Sequence, residues 1–346
     1  METRNFLIFV HGIMLEEHPP LGRVQYRTLW EAVTASHPGL LDRFRDDDRV
    51  EVEWGKFVRD TIEPDQWINL AQEHLARMLD PDEVRKSPGP NNLILPPRPG
   101  SLPNLPWDSL AGPLRQVLFV RGLGDVFYYC GTDGQIAVQL SVFGQILQAM
   151  EIYRHKPDVK LRLFVVAHSV GVAIAYDFLT GLFGHLGERH NGQEPPVPPF
   201  VSSPLLAKKR EIPVERFEYW RQNAVDRLEL GGVASLGSSL PLLMLRNQQV
   251  VDTLATGRHL QADEIGIAPD TIEIVWKNFY DASDIMALPI RPAYGNPAAL
   301  QDVQVRSGDD PWATGAYWGC PDVQSHVAEL LTRRSAAPVE VELQLF

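Results

Sequence analysis

One segment of the chain restricts the possible folds more than any other. Residues 161–176 read LRLFVVAHSVGVAIAY: a mostly apolar run, then Ala-His-Ser-Val-Gly, then small and apolar residues. The first run is typical of a buried strand, and the last can continue as a helix. Because a tight turn brings the strand and helix backbones close together, the small residues Ala167 and Gly171 fit where larger side chains collide. The segment therefore predicts a strand, a sharp turn and a helix, with the Ser169 hydroxyl exposed at the turn.

A serine at such a turn is suited to nucleophilic chemistry. Its hydroxyl projects from the end of the sheet, and the amide N–H of the next residue is free. The usual pattern is G-x-S-x-G, and this chain departs from it only by Ala167 in place of the first glycine. The alternative interpretation of Ser169 is a serine that lies by chance in a buried turn. His168, beside it, is interpreted as a packing residue.

Composition narrows the classes of partner. The chain has 346 residues, of which 44% are hydrophobic, and this is enough for the core of one large α/β domain. We therefore expect a single domain over residues 1–346. Lys and Arg number 32 against 44 Asp and Glu, which gives a formal net charge of −12. This charge disfavours nucleic acid and anionic membranes as partners, so we expect a small-molecule or lipid substrate.

No cofactor or metal pattern is found in the sequence. The two cysteines, Cys130 and Cys320, are far apart and belong to no CxxC or Cys/His cluster. Neither a disulfide framework nor a zinc site is predicted, and a reducing, cytoplasmic location is expected. The apolar run at residues 6–10 is too short for a signal-peptide core, and no transmembrane segment is expected.

Hydrophobic periodicity predicts alternating strands and helices along the chain. Together with the strand before Ser169, this alternation predicts a mostly parallel sheet with helices on both faces. The predicted strands are residues 6–10, 49–54, 232–236, 271–280 and 300–305, and the predicted helices are residues 26–36, 66–79, 136–154 and 322–333.

Two segments interrupt the alternation. Residues 87–106 are dense in Pro, Gly and Asn and predict an irregular excursion. Residues 185–228 begin polar and Pro-rich, and are interpreted as an insertion or cap. Its aromatic residues, Phe217, Tyr219 and Trp220, are candidates to cover a cleft. The alternative is a solvent-facing helix with a few aromatic anchors.

Three motifs, in this order, resemble the α/β-hydrolase superfamily, and more closely its lipase- and esterase-like members. They are His11-Gly12-Ile13 after the first strand, the Ala-His-Ser-Val-Gly turn, and Asp284 after the strand at 271–280. The resemblance covers nearly the whole chain and implies an α/β-hydrolase fold with a cap-like insertion. It also implies that Ile13 and Val170 supply the two N–H groups of an oxyanion hole, and that Asp284 orients a catalytic histidine.

Each role that the resemblance implies has an alternative. The acid can be Asp281 instead of Asp284, and either residue can be a solvated loop carboxylate or a helix cap. The His11-Gly12 pair can be a turn that simply needs a glycine.

The histidine does not follow the pattern of the family. Related hydrolases usually place it after the last strand with a Tyr-Trp pair shortly behind it, but here Thr314 stands at that place before Tyr317-Trp318. Threonine cannot accept the serine proton near neutral pH. His326 follows in the chain and is a candidate base, although it also fits an ordinary histidine in the closing helix. His259 is a poorer candidate.

Two functions follow from these observations. The first is a serine hydrolase that acts on an ester, lipid or amide through Ser169, Asp284 and His326. The second is a pseudo-hydrolase, a binding or scaffold protein that has lost its base at Thr314. A nucleotide-binding domain is not supported, since neither a phosphate-loop motif nor a G-x-G-x-x-G after a strand is present.

Overall fold

The computed structural model describes residues 1–12, 21–54, 129–186, 198–203, 207–284, 287–307 and 316–333. Over these residues the chain has an α/β architecture, in which helices flank one sheet of six parallel strands. The strands are β1 (Glu2–Val10), β2 (Arg49–Val52), β3 (Val159–His168), β4 (Leu228–Leu236), β5 (Trp276–Tyr280) and β6 (Leu300–Gln304).

The helices lie between the strands and after the last of them. They are α1 (Leu21–Ser36), α2 (Leu40–Arg43), α3 (Thr132–Arg154), α4 (Val170–Phe183), α5 (Pro199–Ser202), α6 (Ala207–Gln222), α7 (Ala224–Arg227), α8 (Leu240–Met244), α9 (Gln248–Ala255) and α10 (Pro321–Thr332). Within the described ranges, no helix has both the length and the apolar character needed to cross a bilayer.

The core is divided by the sheet into two clusters. Alternate residues of β3 point to opposite faces, so that Val165 joins one cluster and Val166 the other. On one face the sheet packs against α3, α4 and α6, and on the other against α1 and α10. This division explains why β3 is a nearly continuous apolar run, since a parallel strand covered on both faces has no solvent side.

The strand order is β2-β1-β3-β4-β5-β6. The helices that follow the neighbouring strands β1 and β3 belong to opposite faces, α1 to one and α4 to the other. Open α/β sheets bind ligands at such a switch point, in the crevice beyond the carboxyl ends of the strands. The residues after Val10 and His168 are therefore the first candidates for a ligand site. The six-stranded order is not that of the complete α/β-hydrolase sheet, and it shows the fold at the level of the α/β class.

Most predicted elements in the described ranges are confirmed. The exception is the strand predicted at residues 271–280, which begins only at Trp276. Residues 268–271 form a turn in which Thr271 N–H donates to the Ala268 carbonyl at 3.0 Å, and Ile272 is 84% exposed. The alternating pattern at 271–275 therefore extends beyond the residues that pair with β4 and β6, since that pairing begins at Trp276. The predicted helix at 66–79 and the excursion at 87–106 lie outside the described residues.

The described part of the proposed cap packs against the body of the domain. Phe217 and Trp220 of α6 are fully buried, and the Phe217 ring lies 6.4 Å from Phe143 of α3. Arg227 donates a hydrogen bond to the Val159 carbonyl at the start of β3, and Ser169 follows the other end of the same strand. Phe217 and Trp220 are core anchors of a helix whose other described side chains are exposed or half-buried. The described part of α6 therefore agrees with the alternative of a solvent-facing helix with a few aromatic anchors. Residues 187–197 and 204–206 lie outside the described ranges.

Candidate active site

Ser169 has a strained backbone. Its φ of 52° and ψ of −126° lie where L-residues rarely occur, and Asn296 is the other non-glycine residue with positive φ in the described ranges. Such strain costs on the order of 1–3 kcal/mol and persists only where the surroundings enforce it. Here the Ser169 N–H donates to the Leu236 carbonyl at 2.9 Å, and the Ser169 carbonyl accepts from Val172 N–H. The sharp strand-to-helix turn predicted from the sequence is therefore present.

The end of β1 packs directly on this turn. A Cβ added to Gly12 would lie 2.8 Å from both Ser169 Cβ and His168 Nδ1. A Cβ added to Gly171 would lie 2.4 Å from the His11 carbonyl oxygen and 2.6 Å from that of Val10. Both glycines are thus required by close contact between the two segments. The serine residue is only 8% exposed, because the end of β1 covers a side chain that the sequence predicts to be exposed.

We expect Gly171→Ala to lower the free energy of unfolding by about 3 kcal/mol, because the added methyl overlaps backbone atoms that cannot rotate away. Urea unfolding followed by circular dichroism measures the change. The matched control is Gly144→Ala in α3, where the nearest atom to the new Cβ is Pro213 Cγ at 3.8 Å. This control is expected to keep or slightly raise stability. Equal stability of the two variants would contradict the contact between the turn and β1.

Of the two predicted oxyanion-hole donors, one is described. Val170 is the first residue of α4, so its N–H has no partner within the helix. The positive end of the helix dipole lies at the same place, where it stabilises negative charge. Ile13 lies outside the described residues, and its role stays a prediction.

Asp284 lies at the same edge of the sheet. It is 4% exposed, and its Oδ2 accepts a hydrogen bond from Tyr317 Oη at 3.0 Å. Tyr317 Oη in turn accepts from the Asp281 N–H at 3.0 Å, which fixes the direction of its own proton. Burial, followed by the charge of Asp284, raises the pKa of Tyr317, so the phenol stays protonated and donates to the carboxylate.

Gly237 connects the acid to the serine turn. It follows Leu236, whose carbonyl accepts from Ser169 N–H, and it has a φ of +55°. A Cβ there would meet the Tyr317 ring at 2.7 Å and Asp284 Oδ2 at 3.3 Å. The sequence does not predict the links of Tyr317 and Gly237 to the acid. A glycine at the end of a strand was the available signal.

Asp281 has a different environment. Its Oδ1 accepts from the N–H and hydroxyl of Ser283, and its Oδ2 from the N–H and hydroxyl of Ser307. Burial raises the pKa of this carboxyl, but the four hydrogen bonds outweigh burial and lower the pKa to about 2. Asp281 therefore ties two loops together, and both its oxygens are occupied.

The candidate histidines are not brought to Ser169. His326 lies in α10, and its Nδ1 is 3.1 Å from Lys277 Nζ and 3.2 Å from Glu329 Oε2. Within the described ranges no hydrogen bond joins His326 to Ser169 or Asp284. The ring centroid of His326 lies 6.0 Å from that of Phe279 in β5, so its described contacts are with β5 and with its own helix. His259 lies against Gly295. Thr314, the residue at the expected histidine position, is outside the described residues.

His11 is a fixed structural group beside the turn. Its Nδ1 lies 2.7 Å from the Gly12 carbonyl, and its Nε2 accepts the Trp54 N–H at 3.4 Å. These partners define a neutral imidazole with its proton on Nδ1. The ring stacks on Trp54 at 5.5 Å between centroids. Burial lowers the pKa of His11 to about 4 against the weaker opposing effects of the Gly12 hydrogen bond and Glu53.

His168 is a second buried imidazole. Its ring packs 5.1 Å from Trp318 and 6.2 Å from Tyr317, and neither nitrogen has a hydrogen-bond partner among the described residues. Burial, with a smaller effect of His11, lowers the pKa of His168 to about 3. Its interpretation as a packing residue agrees with these contacts.

These two histidines predict acid lability. Above about pH 6.5 both imidazoles are neutral in the folded and in the unfolded chain. Below this pH the two imidazoles bind protons in the unfolded chain, while in the folded chain they stay neutral until their lowered pKa values are reached. Stability is therefore expected to fall as the pH decreases from about 6 to about 4, by up to about 3 kcal/mol per pH unit for both together. Urea unfolding across this range measures the slope, and His168→Leu should roughly halve it. His155→Gln changes an exposed histidine and is the control. If it reduces the slope of stability against pH as much as His168→Leu does, burial is not the cause of the acid lability.

Within the described part of the chain, no group of three or more His, Cys, Asp or Glu residues is arranged to hold a metal ion. Both cysteines are free thiols, Cys130 exposed and Cys320 buried.

The fold and the site define an α/β protein with a strained serine at the switch point of a parallel sheet. Comparisons with protein-family models, curated proteins and solved structures found no match to this chain. Its geometry and chemistry are therefore the basis for any functional assignment.

Proposed function

We propose that this chain is a serine hydrolase of the α/β-hydrolase type that acts on an ester, lipid or amide. The observation that carries the proposal is the strained Ser169, held at the start of α4 and against the end of β1. Strained residues cluster at functional sites, because selection removes strain that serves no purpose. No other described serine combines positive φ with a helix N-terminus.

The reaction proceeds through an acyl-enzyme. Ser169 Oγ attacks the substrate carbonyl while its proton passes to an imidazole. The oxyanion that forms accepts hydrogen bonds from the N–H groups of Val170 and Ile13. Collapse of the tetrahedral intermediate breaks the bond to the alcohol or amine, which leaves with the proton from the imidazolium. Water then attacks the acyl-enzyme, with the same imidazole as base, and releases the acid.

Asp284 is favoured over Asp281 as the acid. Both oxygens of Asp281 accept hydrogen bonds from Ser283 and Ser307, so this carboxylate joins two loops. Asp284 Oδ2 instead lies beside Gly237, which follows Leu236, the residue whose carbonyl accepts from Ser169 N–H. In the proposed mechanism Tyr317 positions the Asp284 carboxylate, which orients the imidazole and stabilises it when protonated.

The proposal requires a histidine at Ser169. His326 reaches it only by giving up its contacts with Lys277 and Glu329. The histidines at positions 18, 74 and 190 lie outside the described residues. Replacing each of these four histidines with alanine identifies the base as the one whose loss lowers hydrolysis without lowering the amount of folded protein.

Reaction with a fluorophosphonate probe tests the nucleophile directly. We expect the folded protein to be labelled at one residue, Ser169, as identified by peptide mass spectrometry, and Ser169→Ala to remove the label. Ser239→Ala is the matched control, because Ser239 lies at the end of the neighbouring strand, is 1% exposed and has no hydrogen-bond partner for its Oγ in the described ranges. Absence of label on Ser169 in folded protein would overturn the proposal.

The contacts of His326 also favour a second candidate function, a pseudo-hydrolase that binds a ligand or a partner without turnover. In this case Thr314 marks the loss of the base. The variant Thr314→His distinguishes the two functions. A large gain of esterase activity supports the pseudo-hydrolase, while existing activity that Thr314→His leaves unchanged supports the hydrolase.

A further inference from the structure

A cavity of about 590 Å³ lies on the flank of α4, away from the serine turn. Its walls come from α3, α4, α8 and α9, and Ser169, Asp284 and Tyr317 are not among its described lining residues. Asp177, in its wall, is eight residues along α4 from Ser169, which places it about 12 Å along the helix axis. The volume is in the range of small-molecule sites, about 300–1,000 Å³.

The polar part of the wall is organised around Asp177. Its Oδ2 accepts hydrogen bonds from Tyr129 Oη at 2.5 Å, from Gln135 and Gln139 Nε2 at 3.2 Å each, and from Arg246. All four donors reach the same oxygen, and no described residue donates to Oδ1. An ionised carboxylate has acceptor capacity on both oxygens, so this network leaves one acceptor unused at the cavity wall.

The network is electrically balanced. The Arg246 guanidinium forms an ion pair with Asp177 and also lies 4.8 Å above the Tyr129 ring. The side chains of Asp177 and Arg246 are 15% and 19% exposed, so both remain largely shielded from water. A cation placed at Oδ1 would meet the adjacent guanidinium, and an anion would meet the carboxylate itself. A neutral hydrogen-bond donor is the group that suits this position.

Part of the lining is apolar. It is formed by Leu240, Leu243 and Met244 of α8 and by Val250 of α9, and polar residues of the same region, Asn247, Gln249 and Thr253, stand beside it. Each of the four apolar side chains is at most 8% exposed. Asp252, Arg258 and Glu264 also line the cavity, but the acceptor left unused in the described network is Asp177 Oδ1. An apolar surface together with such an acceptor suits a molecule with an apolar body and one polar end.

We propose that this cavity is a binding site, separate from Ser169, for a neutral organic alcohol whose hydroxyl donates to Asp177 Oδ1 and whose apolar body contacts α8. The proposal does not depend on hydrolase activity. It predicts a preference for a hydroxyl over an ammonium or a carboxylate on the same carbon skeleton.

Three probes of nearly equal shape test this preference: benzyl alcohol, benzylammonium and benzoate. Saturation-transfer NMR titrations on the full chain measure the affinity of each probe. We expect saturable binding of benzyl alcohol that is at least tenfold tighter than that of either ion. Equal affinity for the three probes, tighter binding of an ion, or no saturable binding would overturn the proposal.

Matched variants locate the site. Leu243→Trp fills the cavity and is expected to weaken benzyl alcohol binding at least tenfold, while Leu245→Trp, at a 53% exposed position outside the described lining, leaves it unchanged. If Leu243→Trp does not fold, Asp177→Asn is the second test, with a loss of about tenfold because the charged acceptor is removed. Ser169→Ala should bind benzyl alcohol as the unmodified protein does. Loss of binding in Ser169→Ala would place the alcohol at the serine turn and overturn the proposal.

Discussion

Replacing Ser169 with alanine is expected to reduce hydrolysis of a p-nitrophenyl ester by about 10⁴- to 10⁶-fold. The variant keeps the oxyanion donors and the acid but has no atom that can form the acyl-enzyme, and the residual rate comes from binding and oxyanion stabilisation alone. Steady-state kinetics at protein concentrations determined from absorbance measure the loss. Alanine is also small enough for the contact with Gly12, so the fold is expected to be retained.

A contaminating esterase is the main alternative source of activity in such an assay. Ser238→Ala and Ser239→Ala change buried serines that follow the end of the neighbouring strand β4, and they are expected to keep activity within a few-fold. If Ser169→Ala retains the activity of the unmodified protein, Ser169 is not the nucleophile and the proposed function fails. If all three variants lose the esterase activity equally, the cause is a structural change at the end of the sheet where the three serines lie, and not the loss of a nucleophile.

Asp284→Asn is expected to lower kcat by about 10³- to 10⁴-fold while the protein remains folded. An amide of the same shape no longer holds the histidine in the correct tautomer and does not stabilise the imidazolium. Tyr317 Oη still finds an acceptor in the side-chain oxygen of the introduced asparagine, so the local packing is retained. Kinetics and urea unfolding on the same preparation separate the catalytic effect from the structural one.

Asp281→Asn is the matched variant. It removes a carboxylate that accepts four hydrogen bonds from Ser283 and Ser307, and it is expected to lower the free energy of unfolding by about 1–3 kcal/mol. Its effect on kcat should be far smaller than that of Asp284→Asn. If the kinetic effects of the two substitutions are reversed, then Asp281 is the acid, and the assignment based on the occupied oxygens is wrong.

The order of strands and helices was predictable because local patterns control it. Buried parallel strands such as β1 and β3 are continuous apolar runs, and the Ala-His-Ser-Val-Gly turn between β3 and α4 contains the small residues that its geometry needs. The start of β5 was not predictable in this way. An alternating pattern at 271–275 is compatible with a strand, but the pairing with β4 and β6 begins only at Trp276, and the pattern alone does not encode pairing.

Contacts between distant segments were harder to predict. The sequence around the aromatic residues of α6 is compatible with a cap over a cleft and with a solvent-facing helix that has aromatic anchors, and in the structure Phe217 and Trp220 are anchors buried against the domain. An amphipathic helix has the same pattern whether its apolar face covers a cleft or the body of the domain. Likewise, the sequence places His326 after Asp284 but does not indicate that Lys277 and Glu329 hold it in α10.

The sequence by itself determined the α/β class and the serine turn, since each depends on residues that are neighbours in the chain, whereas Asp281 and Asp284 became candidates through the resemblance to the α/β hydrolases. Only the tertiary structure decided which candidates meet. It placed Gly12 and Gly171 in contact with the turn, gave Asp281 four hydrogen bonds, connected Asp284 to Tyr317, and kept His326 away from Ser169. The physical reason is that a side chain's partners across a sheet edge depend on strand order and register, which no local pattern encodes.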